Sequence, residues 1–403
     1  MNEQLLYIQD PLKLEFDALV RQKLSLPDGR LGVILDASYF YPTGGGQEHD
    51  TGTLGEARVV DVFKDGETPV LIHVVDRDIP LGSVHARIDA PRRLRFMQHH
   101  TAQHLLSQCF LRLLDMETLS ANINCDTPST IDFPYTQLST ADVDPIENLA
   151  NQIIYENRQV KTYFVTPQEL ERVPLRRPPK VSEDIRIVEI DGFDYSACGG
   201  THCLQTGTIG VVKILRTERQ NEKTRLHFVA GWQALERFRE YYILLINLAS
   251  RLNTGFPDLP EALQRQAEQL KSLQRELQAL RLEKIAWEAR SLADSAQRIG
   301  VNRLVLASFE NRPVSELRLL ADELKKLPSL IALLASYDSQ KISLLVTCAP
   351  NTSLDARQVL QQQLAPFGGR GGGDPQLAQG GGPATPEQFR TFFDITPNLV
   401  ATS

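Results

Sequence analysis

The chain has 403 residues, which suits two or three domains, because one hydrophobic core rarely serves more than about 250–300 residues. Hydrophobic residues make up 42% of the sequence and charged residues 23%, as in ordinary soluble globular proteins. The net charge of −7 disfavours a generic, sequence-blind RNA binder, but it allows an enzyme that recognises one folded RNA through local basic surface.

The five cysteines are few, odd in number and scattered, so they do not indicate a disulfide framework. The amino-terminal sequence, MNEQLLYIQDPLKLEF, lacks the basic start and apolar run of a secretory signal. No segment approaches the roughly 20 apolar residues that a membrane-spanning helix needs. We therefore expect a cytoplasmic protein, outside any membrane, whose thiolates are available to bind a metal.

Residues 1–90 alternate short apolar runs with turn residues, a pattern that predicts a small β-barrel or folded sheet. The predicted strands have the sequences LGVILDASYFYP, ARVVDVF, PVLIHVVD and SVHARID. The segment PTGGGQ, residues 42–47, interrupts them with three consecutive glycines.

Residues 91–233 mix helical and strand-like pieces, which predicts an α+β domain. A helix is expected over 91–115, with one apolar face bordered by Leu94, Met97, Leu105, Cys109 and Leu113. The strand STIDFPY, the helix DPIENLANQIIYENRQ and the strand VKTYFVT follow it.

Residues 234–295 are strongly helical, and their leucines fall near heptad spacing, which predicts an antiparallel helical hairpin or a coiled-coil arm. These leucines are Leu263, Leu270, Leu273, Leu277 and Leu280. Residues 296–403 return to strands and helices around a glycine-rich segment, residues 367–382. The predicted fold class is therefore α+β: a barrel, an α+β core, a helical arm and a C-terminal α/β domain.

Two short motifs carry the chemistry. In HTAQH, His100 and His104 stand four residues apart on the predicted helix, so both imidazoles leave the same face one turn apart. In CGGTHC, the glycines let the backbone turn tightly enough for Cys198 and His202 to converge. Three imidazole nitrogens and one thiolate make a good zinc set, so the two motifs together predict a Zn²⁺ site.

Two neighbours of these residues are not expected to be ligands. His99 is rotated by about 100° from His100 on a helix and has Gln103, not histidine, one turn later. Cys203 is less well placed than Cys198, which has His202 across the glycine pair. A metalloprotease is excluded by the absence of a glutamate between the two helical histidines.

The motifs and their flanks resemble the editing domain of alanyl-tRNA synthetase and its freestanding AlaX-type relatives. The resemblance rests on RRLRFMQHHTAQHLL, on CGGTHCLQTGTIGVVKI, on the glycine motif FYPTGGGQEHDTG and on GGRGGGDPQLAQGGG near the end. It covers about residues 30–240 and 300–395. It implies that the protein deacylates mischarged alanine tRNA in a zinc-containing pocket, chiefly seryl-tRNA and also glycyl-tRNA.

The same resemblance suggests further site residues. Ser120 is the best counterpart of a hydroxyl that selects serine, unless it is an ordinary strand serine. Gln47 and the Gly44–Gly46 backbone would line the pocket, unless they form a plain β-turn. Thr201 and Asp132 would orient the zinc ligands from behind. The expected tRNA contacts are Arg92, Arg93, Arg95 and, in the glycine-rich domain, Arg370.

Three questions stay open at this level. The zinc would be either catalytic or only organising, because four protein ligands usually close a zinc site. The substrate would be alanine tRNA or another mischarged tRNA such as that for threonine, although Gly-Gly-Thr-His favours the alanine system. The protein would otherwise be a non-catalytic zinc-containing tRNA-binding module. A homodimer through the arm or the C-terminal domain is also expected.

Overall fold

The computed structural model describes residues 5–66, 70–179, 183–338 and 340–392. The chain divides into two compact units, Met1–Leu248 and Ala249–Ser403. The mixed α and β composition, the barrel at the amino terminus and the α/β region at the carboxyl end are all as expected from the sequence. The finer division into segments 1–90, 91–233, 234–295 and 296–403 stays a prediction.

The first unit begins with a closed barrel of six antiparallel strands, in the order β1-β2-β5-β4-β3-β6. Along β1 the side chains alternate between exposed and buried, and Phe16, Ala18 and Val20 are buried in the barrel. The six strands are β1 (Glu15–Ser25), β2 (Leu31–Leu35), β3 (Gly52–Leu54), β4 (Ala57–Lys64), β5 (Leu71–Val75) and β6 (Gly82–Ile88).

After the barrel come one long helix, α1 (Ala90–Leu114), and two sheets. A four-stranded sheet has the order β12-β13-β8-β7, and a three-stranded sheet has the order β11-β10-β9. Their strands and the accompanying helices are β7 (Ser120–Asn122), β8 (Ser129–Pro134), α2 (Thr140–Tyr155), β9 (Val160–Val165), α3 (Pro167–Leu170), β10 (Ile185–Ile190), β11 (Asp194–Ala197), β12 (Val212–Gln220) and β13 (Lys223–Ala230).

Helix α1 is the centre of the first unit. It begins at a defined cap, because the Asp89 side chain accepts a hydrogen bond from the Arg92 backbone N–H and Pro91 stands in the first turn. Between Phe96 and Phe110 its residues are buried on every side, apart from half-buried Gln108. The helix therefore has no solvent face over these four turns, and its polar side chains must find partners inside the protein.

A buried ion pair fastens the barrel to α1. The Arg93 side chain is 1% exposed and that of Asp50 is not exposed at all. The Nε atom of Arg93 lies 3.1 Å from Asp50 Oδ1, and its Nη atoms donate to the carbonyl oxygens of Pro11 and Tyr39 at 2.6 Å each. Asp50 also accepts from the Tyr41 backbone N–H at 2.7 Å, so both charges are fully hydrogen-bonded inside the protein.

Two helices continue the chain: α4 (Gly231–Arg251) and α5 (Leu259–Asp294). The heptad leucines of α5, from Leu263 to Leu280, are exposed, so the coiled-coil arm stays a prediction. Among the described residues, no helix is both long and apolar enough to cross a membrane.

The second unit is a six-stranded sheet in the order β14-β15-β16-β17-β19-β18, covered on both faces by helices. Strands β15 and β16 are parallel and are joined by α6, while the remaining pairs are antiparallel. The elements are β14 (Gln297–Ile299), β15 (Asn302–Glu310), α6 (Val314–Lys325), β16 (Leu330–Asp338), β17 (Lys341–Cys348), α7 (Ala356–Leu364), β18 (Arg370–Gly373), β19 (Leu377–Pro383) and α8 (Pro386–Arg390).

Removing the buried cation should destabilise the first unit strongly. We expect Arg93→Met to lower the free energy of unfolding by about 3–5 kcal/mol, because it leaves Asp50 as an uncompensated buried charge. The measurement is urea unfolding followed by Trp232 fluorescence in a Trp287→Phe background. As a control, Arg87→Met breaks the exposed pair with Glu15 and should cost less than about 1 kcal/mol. Equal effects of the two substitutions would contradict the role assigned to Arg93.

The leucine stripe of α5 predicts self-association, because a second copy of the chain could cover it. The wild-type protein should sediment as a dimer, and Leu270→Glu combined with Leu277→Glu should shift it towards the monomer. Gln274→Glu on the same helix adds charge without removing a leucine and is the matched control. A wild-type protein that sediments as a monomer at micromolar concentration would contradict this prediction.

Candidate metal centre

Four side chains from two distant parts of the chain converge on one point. These are His100 and His104 of α1 and Cys198 and His202 of the loop after β11. One ligand atom from each lies within 4.8 Å of all the others. Cys198 Sγ lies 3.3 Å from His100 Nε2 and 3.4 Å from His202 Nε2. Ligand atoms around one tetrahedral zinc ion lie roughly 3.3–3.8 Å apart, so the spacing suits a single metal ion.

The local sequence explains the convergence. The four-residue spacing on α1 brings the rings of His100 and His104 to 5.3 Å between centroids. In the loop, a Cβ atom at Gly200 would lie 2.2 Å from His100 Cε1, so only glycine lets the loop approach the helix this closely. Arg186 holds the same loop by donating from Nη1 to the carbonyl oxygens of Cys198 and Gly200, both at 2.9 Å.

Each histidine is contacted on the side away from the cluster. His100 Nδ1 lies 2.8 Å from Gln47 Oε1, and His202 Nδ1 lies 3.3 Å from Thr101 Oγ1. His104 Nδ1 lies 3.4 Å from Asp194 Oδ2. These contacts favour a proton on every Nδ1 and leave every Nε2 free to bind a metal, as is usual for histidine ligands.

The three glycines form the turn that places Gln47. Gly44 and Gln47 exchange two backbone hydrogen bonds of 2.9 Å, and Gly45 and Gly46 between them have φ of 58° and 84°. Positive φ at both central positions is typical of a type I′ turn and favours glycine. A Cβ at Gly46 would lie 2.4 Å from the Ala121 carbonyl oxygen, so the turn also packs tightly on β7.

Gln47 is therefore part of the support of the metal centre. Its side chain is buried, with Oε1 at His100 and Nε2 donating to Thr201 Oγ1 at 3.0 Å. Thr201 therefore acts on the ligand His100 indirectly, because it holds the Gln47 amide and Gln47 in turn contacts the His100 ring. The expectation that Gln47 lines the substrate pocket stays a prediction, and its amide is engaged on both sides by His100 and Thr201.

The electrostatics of the cluster favour a thiolate. Desolvation raises the pKa of the Cys198 thiol, but electrostatic interactions with the neighbouring rings of His100 and His202 and hydrogen bonds from His100 and His104 hold that pKa well below its usual range. Burial and the neighbouring His100 hold the pKa of His202 well below its ordinary value, so this imidazole stays neutral. Desolvation lowers the pKa of His104, but contacts with Asp194 and Cys198 raise it above its ordinary value. A thiolate at Cys198 and a neutral imidazole at His202 are the protonation states that metal ions bind.

His99 and Cys203 lie outside the cluster, as the sequence predicts. His99 Nδ1 lies 2.7 Å from Ser129 Oγ, and its Nε2 accepts from the Ala230 backbone N–H at 3.2 Å. Burial lowers the pKa of His99 to about 4, so it is a neutral core residue. Cys203 is buried, and burial raises the pKa of its thiol to about 12.

Asp132 does not orient a metal ligand. Its carboxylate accepts from Arg225 Nε at 2.7 Å and Nη2 at 2.9 Å, and from Ser120 Oγ at 2.9 Å. Asp132 lies on β8 directly opposite Ser120 on β7, and the carboxylate behind the histidines is Asp194 instead. Ser120 itself is exposed, and its hydroxyl retains the capacity to accept a further hydrogen bond.

The four arginines expected at tRNA differ in their surroundings. Arg93 is buried in the ion pair with Asp50 and cannot reach RNA, which corrects the expectation. Arg92 contacts Glu48 at 3.1 Å and Arg95 contacts Glu236 at 2.5 Å, so both are largely covered by protein. Arg370 lies exposed on β18 of the second unit.

Sequence reasoning missed Asp194 and Thr101. Thr101 follows the first ligand directly, and Asp194 stands four residues before Cys198, on the strand that leads into the metal loop. A hydroxyl or carboxylate close in sequence to a metal ligand is a natural hydrogen-bond partner for the outer nitrogen of a metal-binding histidine. The sequence therefore contains a signal for both residues.

Two family models match the chain. The model described as "Threonyl and Alanyl tRNA synthetase second additional domain" matches residues 185–226, which include Cys198 and His202, and the DHHA1 domain model matches residues 302–401.

Individual relatives match over more of the chain. The alanine–tRNA ligase of Methanopyrus kandleri is 33% identical over 392 residues, which cover 94% of this chain and 42% of the ligase. The alanine–tRNA ligase of Korarchaeum cryptofilum is 32% identical over 394 residues, which cover 94% of this chain and 43% of that ligase. The chain thus spans about two fifths of the length of these curated relatives. The solved C-Ala domain from Aquifex aeolicus alanyl-tRNA synthetase is 28% identical, with a TM-score of 0.25, and the match covers 26% of this chain and 97% of that domain.

Loss of one ligand should release the metal. We expect purified His104→Ala to contain almost no metal by elemental analysis, whereas the wild-type protein carries about one ion per chain, because three ligands hold the ion less tightly than four. His99→Gln alters the adjacent non-ligand histidine and should keep the metal. Stoichiometric metal in a folded His104→Ala protein would show that the ion binds elsewhere.

Proposed function

We propose that the chain, which is similar to alanyl-tRNA synthetases and has the domain content of long AlaX-type proteins, hydrolyses mischarged tRNA. The observation that carries the proposal is the convergence of His100 and His104 with the Cys–His pair of the matched second additional domain. The bond broken is the ester between an amino acid and the terminal ribose of tRNA. The amino acid leaves as a carboxylate, and the ribose hydroxyl is restored.

We propose Zn²⁺ as the resident metal. One thiolate and three imidazole nitrogens form the type of donor set that zinc accepts in tetrahedral geometry, whereas magnesium and calcium prefer oxygen. The three histidine ligands are buried, whereas Cys198 is only partly buried. When bound, the metal would supply a positive charge that polarises the ester carbonyl or fixes the substrate's amino group.

The rest of the catalytic task falls to positioning, because an aminoacyl ester is already activated and needs only modest assistance. The metal loop is held by Arg186, and the turn of Gly44–Gln47 packs on β7, the strand that carries Ser120. We propose that the acceptor end of tRNA lies between these elements, with the Ser120 hydroxyl facing the side chain of the mischarged amino acid. Rigid support of this kind favours a productive arrangement of ester and water.

Selection of serine would rest on a hydrogen bond. An apolar pocket discriminates only weakly against an added hydroxyl, so an editing site gains more by binding the serine hydroxyl directly. Ser120 can accept such a bond because it donates its own proton to Asp132, whose charge is held by Arg225. The DHHA1 domain, with exposed Arg370, would contribute a phosphate contact at another part of the tRNA.

One experiment separates this proposal from its alternatives. The zinc-loaded protein is incubated with seryl-, glycyl- and alanyl-tRNA made on alanine tRNA, and with mischarged threonine tRNA. We expect rapid loss of serine, slower loss of glycine and sparing of alanine. Hydrolysis confined to threonine tRNA would favour the alternative substrate. Binding of tRNA without any hydrolysis would favour a non-catalytic tRNA-binding module.

Ser120→Ala tests the selectivity residue. We expect kcat/KM for seryl-tRNA to fall about 10-fold, the size of one lost hydrogen bond of about 1.4 kcal/mol, because the serine hydroxyl loses its partner. Glycyl-tRNA on the same alanine tRNA is the matched control, since glycine has no hydroxyl and its rate should stay within about two-fold. An equal loss with both substrates would assign Ser120 a structural role only.

A further inference from the structure

A buried carboxylate lies behind one ligand of the metal centre. Asp194 stands at the start of β11 with no solvent exposure, and its Oδ2 atom lies 3.4 Å from His104 Nδ1. The outer partners of the other two histidines, Gln47 and Thr101, are neutral. Among the described residues, the partners of the three Nδ1 atoms are therefore two neutral side chains and one charged one, which is Asp194 at His104.

Asp194 is held by two further side chains. Its Oδ1 lies 3.2 Å from Arg176 Nε, and its Oδ2 accepts a hydrogen bond from Ser196 Oγ at 2.9 Å. Ser196 in turn accepts from Arg176 Nη2 at 2.9 Å. The Arg176 backbone N–H donates to the Tyr195 carbonyl at 2.9 Å, which fixes the arginine against the same strand. The four groups form one connected network that ends at His104.

This network contains buried polar atoms that lack a well-formed hydrogen bond to any described residue. They are His104 Nδ1, Asp194 Oδ1, and Nε and Nη1 of Arg176. Buried polar atoms without partners are rare in proteins and call for a reason. For His104 Nδ1, a metal on Nε2 of the same ring supplies one, because it requires a neutral ring with the proton on Nδ1, which then points at Asp194.

We propose that Asp194, held by Arg176 and Ser196, is a positioning residue that fixes the tautomer and orientation of His104 towards the metal. The negative charge of Asp194 makes the His104 imidazole a stronger ligand for the metal, and the positive charge of Arg176 compensates the buried carboxylate. This inference rests on the metal centre of the proposed function, but its consequences appear in metal binding without any tRNA.

The segment that carries Arg176 also reaches the substrate side of the site. The next residue, Arg177, donates from Nη1 to the Thr118 carbonyl oxygen at 2.6 Å, just before β7 and Ser120. Thr118 Oγ1 donates to Ser107 of α1 at 2.7 Å. Arg176 therefore fixes the carboxylate behind His104. Its neighbour Arg177 fixes the start of β7, the strand whose Ser120 would select the amino acid.

The test is the zinc affinity of the full chain, measured by competition with a chromophoric chelator. Asp194→Asn keeps the shape of the side chain and removes its charge, and we expect it to weaken zinc binding by about 10–100-fold. Ser196→Ala removes one hydrogen bond to the carboxylate and should weaken binding less. Asp191→Asn, at an exposed carboxylate paired with Lys161, is the control and should leave the affinity unchanged.

A double variant separates positioning from simple stability. Asp194→Asn alone leaves Arg176 as a buried cation without its counter-charge, so part of any effect would come from destabilisation. In Arg176→Met combined with Asp194→Asn, that cation is gone and the unfolding midpoint should recover. Zinc affinity that stays about 10–100-fold low in this protein supports the proposal.

Two results would overturn the proposal. One is wild-type zinc affinity in folded Asp194→Asn, and the other is recovery of zinc affinity together with stability in the double variant. If Asp194→Asn does not fold, the zinc affinities of Ser196→Ala and of the double variant provide the same test. Failure of tRNA deacylation would reject the proposed function while leaving these metal affinities as they are, so the two proposals fail separately.

Discussion

Three imidazoles and a thiolate can meet at one point only if each is held from behind, because free side chains would turn outwards towards water. This requirement shapes most of the first unit. His100 depends on Gln47, which the glycine turn of the barrel supplies, and His202 depends on Thr101 within α1. His104 depends on Asp194 at the start of β11. The barrel, the central helix and the three-stranded sheet each contribute one outer partner, so the metal centre requires all three parts.

The same dependence explains why α1 is buried on all sides. A helix with a solvent face would present one row of ligands, whereas α1 faces the barrel turn, the metal loop and a sheet within a few residues. The ion pair of Arg93 and Asp50 fixes the start of this helix to the barrel, and with it the position of Gln47 three residues before Asp50. A buried pair with complete hydrogen bonding is costly to form but specific in geometry, which suits the precise placement of ligands.

The sequence predicts much of this arrangement. The two ligand motifs, α1, α2 and most strands follow from spacing and apolar patterning, and His99 is correctly left out of the cluster. The metal-bound state, the coiled coil and the dimer stay predictions. Strand β1 was missed, although its alternating burial is clear once the barrel is seen, because polar residues separate its apolar ones. The glycine-rich segment forms strands β18 and β19, which the sequence does not indicate because glycine has a low strand propensity.

The residues whose surroundings differ from the expectation show what sequence spacing leaves out, namely which strands pair and which way a side chain turns. The sequence suggests Asp132 as a residue that orients a zinc ligand, but strand pairing sets Asp132 beside Ser120 and Arg225. Arg93 was grouped with Arg92 and Arg95 as an RNA contact, yet helical rotation turns its side chain inwards to Asp50. Gln47 is expected to line the pocket, and the role of the glycine turn in aiming its side chain at His100 becomes visible only in three dimensions.

X-ray absorption on the zinc-loaded wild-type protein tests the central claim most directly, namely that the helix and the loop share one metal ion. The account predicts a first shell with one sulfur atom at about 2.3 Å and three nitrogen atoms at about 2.0–2.1 Å. A shell with nitrogen and oxygen only would contradict it, because Cys198 would then not be a ligand and the convergence of the two motifs would have another purpose.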